Sequence, residues 1–411
     1  MKRVVITGMG VVSPLGNDVE TFWGNLLNGK SGISTIDTFD VSNSKTKIGG
    51  IVRNFDAKER WGAKEARHLD RFSQFALAAA EEAISSSQLN LDQLDRERFG
   101  VYVGSGIGGI QTLIDNVNIL NERGPNRVSP TLVPMMIPNA AAAQISIKFG
   151  ALGPSLSPVT ACSIGNTSIG EAFNLIRMGD ADVMIAGGAE AAITTLSLAS
   201  FGNAKALSTK NEEPALASRP FDAKRDGFVM SEGAGILVLE SLEHAMRRNA
   251  PILCEVIGYG ASSDAYHMVA SHPEGTGAYM AMKSALRKAN LSPESIDVIS
   301  AHATSTQVGD YSETLAIKKL FGDNAYRIPV TANKSMIGHM FGASGGVEAI
   351  ALVKSLREDI VPPTINLENP DPDCDLDYVP EGARKMTLNI GLSNSFGFGG
   401  HNSAILLKKY E

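Results

Sequence analysis

The chain has 411 residues, 43% hydrophobic and 20% charged, an ordinary balance for a soluble protein with a large core. Its net charge of −7 argues against non-specific nucleic-acid binding, which needs a basic surface. The three cysteines, Cys162, Cys254 and Cys374, form no C-x-x-C pair and are too few for a disulfide framework, so neither structural zinc nor an oxidising compartment is expected and a cytoplasmic setting fits.

In chain order, Arg3 to Thr7 reads as a β-branched strand. Its apolar run is too short for a signal peptide, and no membrane span is expected, because the later apolar stretch Val183 to Phe201 carries Glu190. Gly8-x-Gly10-x-x-Ser13 is no dinucleotide fingerprint, since serine stands where the third glycine belongs and Pro14 follows. Asn17 and Glu20 form a capping-box-like pair that predicts a helix through Leu27. Phe72, Phe75, Ala76, Ala79 and Ala83 recur at helical spacing. Gly100 to Gly104, Val183 to Ala186 (ending at Gly187-Gly188) and Ile236 to Leu239 read as buried strands.

The order of elements then repeats. Gly8-Met9-Gly10 is echoed by Gly258-Tyr259-Gly260, each expected just after an apolar strand. Val159-Thr160-Ala161-Cys162-Ser163 is echoed by Val330-Thr331-Ala332-Asn333-Lys334-Ser335, each expected to lead from a strand into a helix. The chain therefore reads as α/β with two similar halves, 1–250 and 251–411, in one layered body. Ligand sites in such sheets lie beyond the carboxyl ends of strands, so a pseudo-dyad would bring Cys162 near the Lys334–His339 segment.

Cys162 is expected at a helix start, where unpaired N–H groups and the helix dipole favour a thiolate; a small buried cysteine is the bland alternative. His302 follows the apolar strand Val298–Ser300, and His339 sits among small residues, Gly338 to Gly346; each reads equally as a site residue or a packed structural histidine. Lys334 after an apolar strand needs a partner if it is buried, with Asp310, Glu313 and Glu348 as candidates. Asn394 to Asn402 is a glycine-rich loop carrying Phe396 and Phe398, either a gate or an ordinary turn, and it lacks the Lys-Ser/Thr of a P-loop.

Together these residues resemble the β-ketoacyl-[acyl-carrier-protein] synthases, most closely the type II elongating condensing enzyme. Gly179-Asp180-Ala181-Asp182, Ser218-Arg219-Pro220-Phe221-Asp222, Arg225-Asp226-Gly227-Phe228, Pro362 to Asn366 and Asn394-Ser395-Phe396-Gly397 carry the resemblance too, which runs from Arg3 to the C-terminus. It implies a thiolase fold of five αβαβα layers, a homodimer, an acyl-carrier-protein partner and no metal or redox cofactor. It also implies roles. Cys162 would hold the acyl chain, while His302 and His339 would promote decarboxylation of a malonyl thioester. Lys334 with Asp310, Glu313 and Glu348 would support them. The N–H groups of Cys162 and Phe398 would form an oxyanion hole, with Phe398 as gate. Thr304 and Thr306 match positions on the pantetheine arm, Ile107, Ile164, Phe201 and Phe341 match acyl-pocket positions, and Lys64, Arg67 and Lys205 match the carrier-docking face.

The sequence departs from the family pattern at Ala303 and Gln307 in His302-Ala303-Thr304-Ser305-Thr306-Gln307, at Asn333 and Ile337 in Asn333 to His339, and at Ile164. A branched residue at 164 would narrow or reroute the acyl pocket, which keeps open a specialised polyketide or unusual-lipid enzyme, or a chain-length-factor-like partner without catalysis. A thiolase would normally add a second catalytic cysteine late in the chain, and an initiating synthase a Cys-His-Asn set.

Overall fold

The computed structural model describes residues 1–411. The first half runs β1 (Val4–Val12), α1 (Arg71–Ser87), β2 (Phe99–Gly104), α2 (Ala140–Phe149), β3 (Ser155–Leu156), α3 (Ile164–Met178), β4 (Val183–Glu190) and β5 (Gly233–Ser241). The second half repeats the series as β6 (Cys254–Ser263), α4 (Thr276–Ala289), β7 (Val298–Ser300), α5 (Gln307–Phe321), β8 (Val330–Thr331), α6 (Ser344–Glu358), β9 (Ile390–Gly397) and β10 (His401–Lys409).

The strands run β8-β7-β9-β10-β6-β1-β5-β4-β2-β3. Each half therefore has the same strand order, mirrored about a three-pair antiparallel seam joining Val4–Ile6 to Cys254–Val256. Pairing repeats as well. β3, β2 and β4 are mutually parallel, as are β8, β7 and β9, while β5 and β10 join antiparallel on both sides. Even the irregularities match, since Thr7 bulges from β1 and Ile257 from β6.

Helices α3 and α6 pack against strands of both halves, α1 and α2 cover one outer face, and α4 and α5 cover the other. The result is five αβαβα layers, the thiolase fold. The strand sequences explain the layering. Successive side chains point to opposite faces, so Met184, Ala186, Leu237 and Leu239 enter the central core with Phe173 and Ile350. Val183, Ile185, Ile236 and Val238 enter the outer core with Phe72 and Phe75. A strand buried on both faces reads as an unbroken apolar run, which is the pattern seen in the sequence.

Four local expectations change. Gly8 and Gly10 lie inside β1, and Gly187 and Gly188 inside β4, because the strands outlast their β-branched residues. The helix Val19–Leu27 is capped by Asp18, whose carboxylate accepts the Thr21 N–H at 2.8 Å. Asn17 sits one residue too early and instead donates to the carbonyls of Arg53 and Asn54, while Glu20 pairs with Lys354. Finally, Val159 and Thr160 are not in a strand. The strand equivalent to Val330–Thr331 is Ser155–Leu156, and Pro158, which has no N–H to donate, follows it. The echo at Gly8–Gly10 and Gly258–Gly260 does correspond, for it lets two helices lie directly on two strands. A Cβ on Gly10 would stand 1.9 Å from the Ala79 carbonyl oxygen, and one on Gly260 2.1 Å from that of Ala281.

Gly10→Ala and Gly260→Ala should each lower stability by about 1–3 kcal/mol through overpacking. Gly24→Ala, in the helix Val19–Leu27 with nothing near its added methyl, should raise it by roughly 0.5–1 kcal/mol. Urea unfolding of the three variants reads these signs directly.

Candidate active site

Cys162 lies in the single turn Ala161–Ser163 that leads into α3 and is buried. Ala161 takes a left-handed backbone, φ +49°, which turns the chain sharply so that the thiol faces the second half. The backbone N–H groups of Phe398 and of Cys162 itself favour the ionised sulfur. Phe398 reaches it because residue 397 is glycine; a Cβ there would stand 2.8 Å from the Cys162 nitrogen. Burial pushes the thiol up to about 12, against the pull of the Lys334 charge and the two N–H groups, while Glu190 opposes the thiolate further. The helix start was expected to favour a thiolate. Burial outweighs it, and the resting group is a thiol.

The turn before α6, Phe341–Ala343, is the structural twin of the cysteine turn, with Phe341 at φ +46°. Cys162 thus corresponds to Gly342 rather than to the Asn333–Lys334 position of the sequence echo. His339 lies just upstream, its backbone N–H and C=O bonded to Val229 and Ser231. Ser344 Oγ accepts the Met340 N–H at 3.0 Å and lies 3.2 Å from His339 Nδ1. The hydroxyl can donate its own proton to Nδ1, and in that tautomer the imidazole proton is on Nε2.

His302 follows β7. Lys334 Nζ is 3.5 Å from His302 Nδ1 and 2.5 Å from Glu348 Oε1. An ammonium can only donate, so the His302 proton also sits on Nε2. The two imidazoles meet edge to face, centroids 5.4 Å apart. Burial, and after it the Lys334 charge, pull both well below the usual histidine range, so both rings are neutral. Burial likewise pushes Glu348 up to about 7 while Lys334 draws it back.

Of the three carboxylates considered for Lys334, only Glu348 pairs with it. Glu313 accepts the N–H groups of His302 and Ala303 at 2.9 and 2.8 Å, and Asn394 donates to it at 3.1 Å. Asp310 accepts the N–H groups of Ser305 and Phe221, and burial lifts it to about 7 despite Arg225. These bonds restrain a strained loop, in which Ala303 has φ +32° and Ser305 φ +69°. Left-handed geometry at such residues costs roughly 1–2 kcal/mol each, and a hydrogen bond to a buried carboxylate contributes a comparable amount.

Cys162, His302, His339, Phe341 and Phe398 line one cavity of about 340 Å³. Thr304 and Thr306, hydroxyls 3.1 Å apart, line its outer part, and the exposed Lys205 stands at its rim. Ile107, Ile164 and Phe201 are not on the open cavity. Phe201 stacks on Phe341 at 5.4 Å, and Ile107 packs in the same apolar cluster as Cys162. Ile164 is fully buried, filling the gap beside Gly104, Gly106 and Gly342. Lys64 and Arg67 are exposed; Arg67 borders a separate shallow depression with His68. Sequence reasoning missed Ser344, Asn394 and Arg225, whose guanidinium holds the Thr306 and Gln307 carbonyls, and it took Glu190 only as a break in an apolar run. A lone carboxylate among buried strand residues was the available signal for the last.

The family model described as "Beta-ketoacyl synthase, N-terminal domain" matches residues 1–245, and "Beta-ketoacyl synthase, C-terminal domain" matches 253–368. The 3-oxoacyl-[acyl-carrier-protein] synthase 2 of Synechocystis sp. is 50% identical over 410 residues, covering 100% of this chain and 99% of the relative. That of Staphylococcus aureus is 49% identical with the same coverage. Two solved structures match over 100% of both chains with TM-score 0.92. One, 36% identical, is a type II polyketide acyl-carrier protein in complex with its ketosynthase bound to the hexaketide. The other, 35% identical, is a β-ketoacyl synthase from Burkholderia phymatum.

With its thiol near 12, Cys162 in the resting protein should be alkylated by iodoacetamide ever faster as pH rises from 7 to 10. The thiolate fraction grows about tenfold per pH unit below the pKa. Mass spectrometry against a Cys162→Ala control reads the rate, and a plateau below pH 8 would show a resting thiolate instead.

Proposed function

The chain belongs to the β-ketoacyl synthase family and is a condensing enzyme of the elongating, synthase II-like kind, and from that premise we propose that it lengthens fatty acyl chains by two carbons, joining malonyl-carrier protein to an acyl group held on Cys162. One observation carries this reading. Two neutral histidines, their rings 5.4 Å apart, share one cavity with a cysteine whose thiolate is favoured by two backbone N–H groups.

In the first step the Cys162 thiol exchanges with an acyl thioester, and its proton leaves on the carrier thiol. In the second, malonyl thioester loses carbon dioxide. The electron pair of the broken C–C bond moves into the enolate, whose oxygen the Nε2–H groups of His302 and His339 stabilise. Neutral donors suit this step, since they engage charge only as it develops. In the third, the enolate carbon attacks the acyl carbonyl. Its oxygen gains charge toward the N–H groups of Cys162 and Phe398, and collapse releases the Cys162 thiolate, which regains a proton. Each donor contributes about 3 kcal/mol. The Lys334–Glu348 pair keeps His302 Nδ1 an acceptor throughout, and no step calls for a metal or redox group.

Acyl carrier protein is the proposed donor of both substrates. Thr304 and Thr306 would line the path of its pantetheine arm, with Lys205, Lys64 and Arg67 facing an acidic carrier. A second copy of the chain is the proposed cover for the edge strand β3. Leu156 within it and Leu152 and Val159 beside it are 53%, 71% and 54% exposed, an apolar edge that a lone monomer would leave unpaired. Sedimentation should therefore show a dimer, and Leu156→Asp should shift it to monomer.

A polyketide role is the second reading, favoured by the full-length likeness to a polyketide ketosynthase and by Ile164. One assay separates the two. With acyl- and malonyl-carrier proteins, a fatty-acid enzyme should give single two-carbon extensions across several primer lengths, whereas a polyketide enzyme would give repeated unreduced extension. Cys162→Ala should abolish both acylation and condensation. His302→Ala and His339→Ala should each slow decarboxylation by roughly 10²–10³-fold. Absence of any Cys162 adduct in the wild type, at every primer length, would sink the proposal.

A further inference from the structure

Glu190 is the last residue of β4, and its side chain is fully buried. Its four hydrogen-bond partners are all neutral donors. Oε1 accepts from Ser105 Oγ at 2.8 Å and from the Ile107 N–H at 3.2 Å; Oε2 accepts from the N–H groups of Gly106 at 2.8 Å and Gly342 at 3.1 Å. Three of these donors sit in the loop after β2, in the first half. The fourth sits in the turn before α6, in the second half.

An acceptor-only group suits the site, because a glutamine offers one oxygen and in either orientation turns its NH₂ against at least one backbone N–H donor. The carboxylate thereby ties together two walls around Cys162. Ile107 and Phe341 both pack in the apolar cluster that contains the cysteine. Phe341 is strained at φ +46°, and the Glu190 bond falls on the very next residue. Its ring is 5.4 Å from Phe201 and 4.9 Å from His339, so relaxation at Phe341 would disturb its packing on both rings. The same carboxylate raises the cost of a thiolate at Cys162.

We propose that Glu190 is a positioning residue for the condensation, clamping Phe341, which lines the cavity, and Ile107, which packs behind it in the other half, so that the packing between them limits the acyl chain on Cys162. The proposal rests on the acyl-Cys162 reading above and adds the residue that sets chain selectivity. Like the second-half turn it holds, the clamp lies outside the Cys-His-His set.

The test compares wild type with Glu190→Gln, Glu190→Asp and Ser105→Ala, using acyl-carrier-protein primers of several lengths. In Glu190→Gln, KM for primers should rise about tenfold or more and the primer-length preference should flatten, since bonds to a buried charge are lost. Decarboxylation of malonyl-carrier protein without primer should change far less, because the Lys334–Glu348–His302 chain is untouched. The alkylation curve of Cys162 should move to lower pH in Glu190→Gln and stay in place in Glu190→Asp, which keeps the charge. Ser105→Ala removes one donor and should shift the primer profile in the same direction by a smaller factor, which serves if Glu190→Gln does not fold. Unchanged primer selectivity in folded Glu190→Gln overturns the proposal, as does a uniform loss of every activity in proportion to lost thermal stability. Failure of the wild type to acylate at all would instead strike the functional reading, while the alkylation curves still report on the clamp.

Discussion

Helices α3 and α6 are held between the two halves of the sheet, and α6 has almost no solvent face. Every residue of α6 from Ser344 to Leu356 is buried. A helix in that position is apolar on all sides, and any polar group it carries must find its partner inside the protein. Glu348 on α6 meets Lys334 and Asn166 on α3 meets the Ser393 carbonyl. Both helices begin in a left-handed turn, Ala161–Ser163 and Phe341–Ala343, and these two starts face the same buried cavity. The pseudo-dyad of the sheet brings them together, and the two halves then diverge in chemistry. One turn carries the thiol; its twin carries a glycine, with a histidine just before it.

That confinement accounts for the electrostatics. Glu348 on α6 is fully buried, and so is Lys334; each would be prohibitive alone. Paired, they leave the ammonium a fixed donor toward His302. The charge of Lys334 then acts in two directions at once. It adds to burial, the larger cause, in keeping both histidines neutral, and it lowers the cost of a thiolate at Cys162, although burial keeps the thiol protonated at rest. Cys162, His302 and His339 are thus uncharged at rest at the inner end of the cavity. Around this centre, buried carboxylates bonded to backbone N–H groups restrain strained backbone, with Glu313 and Asp310 on the histidine loop and Glu190 between the two halves.

Much of this was legible in the chain. Strands buried on both faces left unbroken apolar runs, and the bulged glycine strands left the Gly8–Gly10 and Gly258–Gly260 echo. Cys162, His302, His339 and Lys334 stood out because each breaks the composition of its surroundings. The misreadings share a cause. Asn17 and Asp18 are both good caps, and only the helix start chooses between them. The false alignment of Cys162 with Asn333–Lys334 followed similar residues, whereas the true twin, Phe341–Gly342–Ala343, shares backbone shape and almost no side chains.

The sequence by itself determined the α/β class, the repeated order of elements and the residue types that could carry chemistry, because periodicity and composition are local properties. Which carboxylate meets Lys334, which nitrogen of His302 faces its ammonium, that burial holds the thiol protonated and that Glu190 joins the halves emerge only in the folded chain. Each of these depends on burial and on partners far apart in the chain, Lys334 with His302 and Glu190 with Gly342 among them, and a desolvated charge answers only to what surrounds it in space.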